Sequence, residues 1–250
     1  YACEWSVAAY QGAARHDHEA FLDEETGRVV LVGALAEAEA GFATALDPDD
    51  GWGPLGELGK NQPTPRTHAA VAMSGGVVVV VGGRSAPDAS GASVTMADAW
   101  RYDPVADSWA SFGLPDGVSS LGGGFISAQE GGWSLGGGDS GLVVSWRLSW
   151  SLDMAALTWL EPAPWSGLAP RTGGTVVVEP NGGATWLVGG SRMPGAFPLM
   201  DAHTWTSADQ GWHSVSEALL PTTESWDVTR PGLVGASGVW NPVAQVVLLA

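Results

Sequence analysis

The sequence predicts an all-β fold assembled from one four-stranded unit repeated along the chain, and three observations predict it. Thirty-six glycines and fourteen tryptophans accompany short valine-rich runs, the composition of many short strands joined by tight turns. A Gly-Gly pair closes an apolar run at Gly82-Gly83, Gly136-Gly137 and Gly189-Gly190, with Gly33-Ala34 as a degenerate first copy, so the first glycines stand 49, 54 and 53 residues apart. Trp52, Trp109, Trp159 and Trp212 follow at intervals of 57, 50 and 53 residues. Two independent markers with one period near fifty identify a repeat.

Each unit divides in the same order. Arginine precedes the first apolar run at Arg15, Arg66, Arg171 and Arg230, while the third unit has Ser119-Ser120 in that region. In the second unit the four strand-length runs are about Ala69–Met73, Val77–Val81, Met96–Tyr102 and Ser108–Phe112. Five β-branched residues in a row, Val77–Val81, suit a strand packed on both faces. The glycine pair that follows lets the backbone turn sharply and approach its neighbours closely. The second half then runs through an aromatic strand, Trp100-Arg101-Tyr102-Asp103-Pro104, to Trp109; Trp150-Ser151-Leu152-Asp153 leads likewise to Trp159, and Leu46-Asp47-Pro48 to Trp52. A tryptophan on each last strand can fill the gap between adjacent units.

An apolar strand ending in Gly-Gly, a variable loop, an aromatic strand running into Asp-Pro and a closing tryptophan resemble the kelch family. Residues 66–112 carry the fullest copy, and the resemblance spans roughly residues 15–250. It implies a kelch-type β-propeller, the group that includes galactose oxidase. Four complete four-stranded blades are expected at about 15–59, 60–115, 116–165 and 166–222, with a fifth begun at Arg230. Residues 1–14, with Trp5, are expected to end a preceding blade, so 1–250 reads as one partial propeller domain. The chain starts at Tyr1 and stops inside the apolar run Val246 to Ala250; the expectation is a fragment whose partners include the remaining blades of its parent, six or seven in all by the resemblance.

Candidate binding residues lie on the segments that escape the repeat pattern, the loops after the second strands and between blades. Arg84 and Asp88 sit on the long polar loop from Arg84 to Ala97, and Arg192 follows its own glycine pair one residue later. The resemblance to kelch adaptor proteins implies that arginines here grip carboxylates of a partner, as a guanidinium can do bidentately; ordinary surface ion pairs are the alternative. Arg66, His68 and Arg171, at the blade starts, complete the candidate set. His16 and His18, two residues apart and so on one face of a strand, are the only metal candidates, with no third ligand identifiable.

The remaining inventory narrows the function. A formal net charge of −17 repels polyanions and excludes nucleic acid as the expected partner. No apolar stretch approaches the roughly 20 residues of a membrane-spanning helix. Cys3 is the single cysteine, which leaves the compartment open while favouring the cytoplasm. Copper oxidases of the kelch group need a cysteine joined to a tyrosine, a second tyrosine and two histidines; with Cys3, Tyr1, Tyr10 and Tyr102 as the whole supply, no cofactor and no catalytic residue are expected. Every glycine pair is followed by more β pattern, so no phosphate loop is present. The first functional reading is a non-enzymatic scaffold binding a protein or peptide; the second is a propeller oxidase, sugar-processing isomerase or hydrolase with key residues partly outside the segment.

Overall fold

The computed structural model describes residues 18–23, 25–33, 42–47, 50–56, 61–86, 89–114, 122–129, 132–139, 148–153, 158–159, 163–164, 171, 174–179, 184–191, 199, 201–206, 211–215, 238–241, 243 and 246–249. Among them every regular element is a strand. The first blade is β1 (His18–Leu22), β2 (Val29–Gly33), β3 (Ala43–Asp47) and β4 (Gly51–Pro54); the second is β5 (Ala70–Ser74), β6 (Val77–Val81), β7 (Ala99–Asp103) and β8 (Ser108–Phe112). Both are antiparallel meanders in chain order. The third holds β9 (Gly122–Gln129), β10 (Gly132–Asp139), β11 (Leu148–Asp153), β12 (Thr158–Trp159) and β13 (Ala163–Pro164), and the fourth β14 (Thr175–Val178), β15 (Thr185–Val188), β16 (Ala202–Thr206) and β17 (Gly211–Val215). A hairpin of β18 (Gly238–Asn241) and β19 (Val246–Leu249) begins a fifth.

First strands pack on first strands, β5 on β9, β9 on β14 and β14 on β18, which arranges the blades side by side around their inner edges. Each blade must bury both faces, and the sequence supplies this through β6. Val78 and Val80 join Val30, Val32 and Phe42 of the first blade in one core, while Val79 and Val81 point the other way, toward Ile126 of the third. All four valines are fully buried, each contributing about 1.5 kcal/mol or more.

The outer ends are sealed by the closing tryptophans. Trp109 packs edge-on against Phe42, with ring centroids 6.2 Å apart, and its Nε1 donates across the blade boundary to the Leu55 carbonyl at 2.9 Å. Trp159 repeats the device one blade on: it lies against Phe112 and donates to the Gly113 carbonyl at 2.8 Å. Leu55 and Gly113 each directly follow the last strand of the preceding blade.

Three details differ from the sequence reading. The third strand of blade 2 begins at Ala99, not Met96, because Met96 donates its N–H to the Gly83 carbonyl and Asp98 is drawn off by an arginine. In blade 3 the glycine pair does not end the strand: Gly136 and Gly137 remain in the ladder opposite Phe125 and Gly124, and β10 runs on to Asp139. That unit has Ser119-Ser120 where its neighbours have the arginine. Its outer edge also pairs β11 in two places, with β12 and β13 lying against opposite ends of that strand.

Candidate interaction site

Two of the arginines ahead of first strands, Arg66 and Arg171, lie among the described residues, and both point into their own blades. Arg66 is fully buried. Its Nε donates to the Thr64 carbonyl, one Nη to the Gly82 carbonyl and Asp98, the other to Thr64 Oγ1 at 3.1 Å and Asp98 Oδ2 at 3.0 Å, so all five guanidinium donors are used. The guanidinium also lies 5.8 Å from the centre of the Phe42 ring. Arg171 repeats the arrangement in blade 4: fully buried, it donates to the Gly189 carbonyl at 2.8 Å and grips Asp201 with both Nη atoms at 2.6 and 2.9 Å. Arg66 and Arg171 therefore stand behind the surface, as pins joining the first glycine of the pair to the aspartate ahead of the third strand, and their guanidiniums are out of a partner's reach.

The two aspartates are what sequence reasoning missed. Burial pushes the Asp98 carboxyl up, but hydrogen bonds from Arg66 and from Trp100 Nε1 at 2.7 Å, with the guanidinium charge, outweigh it and hold the group below its ordinary value. Burial acts on Asp201 in the same sense, and His203 and Arg171 overcome it further, holding that carboxyl far below the usual range. His203 takes the place of Trp100: its Nε2 lies 3.0 Å from Asp201 Oδ2 and 3.2 Å from Arg171 Nη2, while its buried Nδ1 has no hydrogen-bond partner. The legible mark was the dipeptide Asp-Ala, which opens both third strands at 98–99 and 201–202.

The glycine pair allows the pin and the loop to meet. Gly83 has φ 107°, and a Cβ there would lie 2.9 Å from the Thr67 carbonyl oxygen and 3.0 Å from Arg66 Cδ; no side chain fits. Directly beyond it, Arg84 and Thr67 exchange two backbone hydrogen bonds, of 2.7 and 2.9 Å, and Arg84 bridges Thr95 on its other side. Ser85 N–H donates to the Val94 carbonyl, Val94 N–H to Ser85 Oγ, and Met96 N–H to the Gly83 carbonyl. The loop after β6 is thus a short exposed arm ordered by its backbone. Blade 4 begins the same way, with Leu199 N–H donating to the Gly190 carbonyl.

His68 is exposed beside this arm, one residue beyond Thr67, in the left-handed region at φ 54°. Arg84, half-buried, and His68 are brought to one end of blade 2. Asp88, Arg192 and His16 lie outside the described residues; His18 opens β1 opposite Gly33. Among the described residues no group of three His, Cys, Asp or Glu side chains is placed to hold a metal ion.

Comparison with known proteins agrees with this architecture. The family described as Kelch motif matches residues 65–112, the blade that carries the pin, the arm and the tryptophan seal. Among solved structures the chain is similar to one titled "Structure of YjhT", with a TM-score of 0.68 and 17% identity, covering 94% of this chain and 72% of that one. No curated protein sequence matches the chain. The fold is that of a kelch-type β-propeller.

Proposed function

We propose that the chain is a protein-interaction scaffold that holds a partner protein or peptide on the loop-bearing face of its propeller. The observation that carries this reading is the arm from Arg84 to Ala97. Its outer residues, 90–94, are exposed, and hydrogen bonds at Arg84, Ser85, Val94 and Met96 fix its base, so a partner that contacts it meets a surface part of whose ordering entropy is already spent. A kelch propeller is suited to such a role because the blade interior is fixed by its own pins and leaves the loops free to vary. Arg84 and, by its position after the fourth glycine pair, Arg192 favour a partner that presents carboxylates to this face.

Capture from native lysate by the full chain tests it, wild type against the double variant Arg84→Ala, Arg192→Ala. Loss of a specific partner in the variant is expected. Capture of the same partner at the same yield would move the site off these loops, and absence of any specific partner would turn attention to the enzymatic alternative.

A further inference from the structure

The base of the arm after β6 is a ladder three segments wide, and its third segment has an open edge. Arg84 exchanges backbone hydrogen bonds with Thr67 on one side. On the other it faces Thr95, and the bonds run to either side of that pair, from Ser85 N–H to the Val94 carbonyl and from Met96 N–H to the Gly83 carbonyl. In an antiparallel ladder a pair so flanked turns its own N–H and C=O groups outward, and by alternation Ser93 and Ala97 do the same as Thr95. Among the described residues none hydrogen-bonds to the backbone of Ser93, Thr95 or Ala97. Ser93 and Ala97 are exposed and Thr95 is half-buried.

The blade fills this column lower down and leaves it vacant here. Ala99 is the last residue of the line to find a partner in β8, at Phe112. Beyond it the chain departs: the Gly113 carbonyl accepts from the indole of Trp159 at 2.8 Å, and Leu114 packs against the core shared with blade 3. A Cβ on Gly113 would meet nothing within 4 Å, so this exit does not crowd the place above Phe112. The outer edge of β8, by contrast, is already occupied at the Trp109 carbonyl, which accepts from Asn61 Nδ2 at 2.9 Å. Exposed edges are usually blunted by lysine or proline. Residues 93–97 read Ser-Val-Thr-Met-Ala, with neither, and two of them are β-branched and suited to a strand.

We propose that an extended segment of a partner protein adds antiparallel to residues 93–97, in line with β8, and completes the ladder. The outward N–H and C=O groups of Ser93, Thr95 and Ala97 supply the affinity, and side chains supply the choice of partner. Arg84 and Thr95, directly opposed, share a face, and the residue added opposite Thr95 shares it too. Two strand spacings of about 4.8 Å separate that residue from Arg84, a gap that glutamate and arginine side chains together span. The occupant is therefore a β-branched segment with one glutamate facing Thr95, flanked by basic residues that a chain of charge −17 attracts. A second copy of this chain would meet repulsion instead. The proposal deepens the reading of the arm as the binding element and rests on it.

A fluorescent nine-residue peptide with glutamate at its centre, alternating Val and Thr on either side and lysine at both ends serves as the probe, titrated against the full chain and followed by hydrogen exchange. One control replaces the glutamate by glutamine; another replaces every valine by proline, which keeps the charge but cannot join a ladder. Saturable binding of the probe is expected, with slowed exchange at the Thr95 amide, and none of the proline control. Thr95→Pro should weaken the probe and the glutamine control alike by at least tenfold, whereas Arg84→Ala should weaken only the probe. An unchanged melting temperature confirms that Thr95→Pro is folded, since the Thr95 N–H bonds to nothing within the chain. Loss of binding in Arg84→Ala with none in Thr95→Pro would overturn strand addition while leaving the arm as a carboxylate-binding surface. Equal affinity in all three proteins, no saturable binding in wild type, or a dimer in sedimentation that Thr95→Pro abolishes would each overturn the proposal as well, the last by making a second copy the occupant.

Discussion

Blades 2 and 4 hold the same pin in different company. In both, a buried arginine ties the carbonyl of the first glycine to an aspartate ahead of the third strand. In blade 2 the aspartate's other donor is the indole of Trp100, and Arg66 is further anchored by Thr64 and the face of Phe42. In blade 4 the other donor is the imidazole of His203. Blade 3 lacks the arginine in sequence, and its glycine pair stays in the ladder. The comparison teaches that the pin, and not the glycines alone, bends the chain out of β6 and lets the loop begin at Arg84.

The largest effect should come from removing one pin at a time. Arg66→Ala removes the donor shared by the Gly82 carbonyl, Thr64 and Asp98 and leaves that carboxylate without its guanidinium, at a cost of about 3 to 5 kcal/mol. Arg171→Ala should cost about 1 kcal/mol less, because His203 Nε2 stays within hydrogen-bond reach of Asp201. Urea unfolding of the two variants, with hydrogen exchange to assign the loss to its blade, checks the order. Equal costs would mean that His203 contributes nothing to holding the aspartate.

Acid separates the blades more gently. Both carboxyls have folded values below their unfolded ones, so the unfolded chain binds more protons and the stability they supply is present above the ordinary carboxylate value near 4. It fades as pH falls through each folded value. Since Asp201 is held lower than Asp98, amide protection around Gly82 should be lost at a higher pH than that around Gly189. Simultaneous loss, or loss in the reverse order, would sink the ranking.

The smallest effect is at His68, whose left-handed backbone is matched in sequence by Gly173 in blade 4. His68→Gly should stabilise the chain by no more than about 1 kcal/mol, since relief of the strained φ is partly offset by the flexibility glycine adds to the unfolded chain. A destabilised variant would show that the side chain itself is held in place by contacts worth more than the strain.

Much of the fold was legible because its determinants repeat. The glycine pairs, the valine run and the tryptophans must recur at one phase for each blade to pack on the next, and a period is visible without knowing any contact. The same rule explains why Arg66 and Arg171 were misleading as ligand contacts: a residue that returns at the blade start in unit after unit belongs to the scaffold. Asp98 and Asp201 escaped notice because each is one carboxylate among 27 acidic residues, marked in sequence by no more than the Asp-Ala pair they share, and the contact with arginine is what gives that pair its meaning. The arm at Arg84 was visible as a polar loop, but its ladder joins residues such as Ser85 and Val94, which share no pattern that a periodic reading could find.

The tryptophan seals have a direction. Trp109 reaches back to Leu55, and Trp159 reaches back to Gly113, so in both of these seals a blade is latched by the one that follows it in the chain. During synthesis a blade is therefore closed only when its successor's last strand emerges, and a break in any one latch leaves the earlier ones untouched. In both, donor and acceptor stand about one period apart, so adding or excising a whole unit keeps such latches in register, while a cut of half a unit leaves an indole facing no carbonyl. The molecule can be lengthened or shortened only in steps of one blade, which is how a repeat array becomes a unit of inheritance as well as of structure.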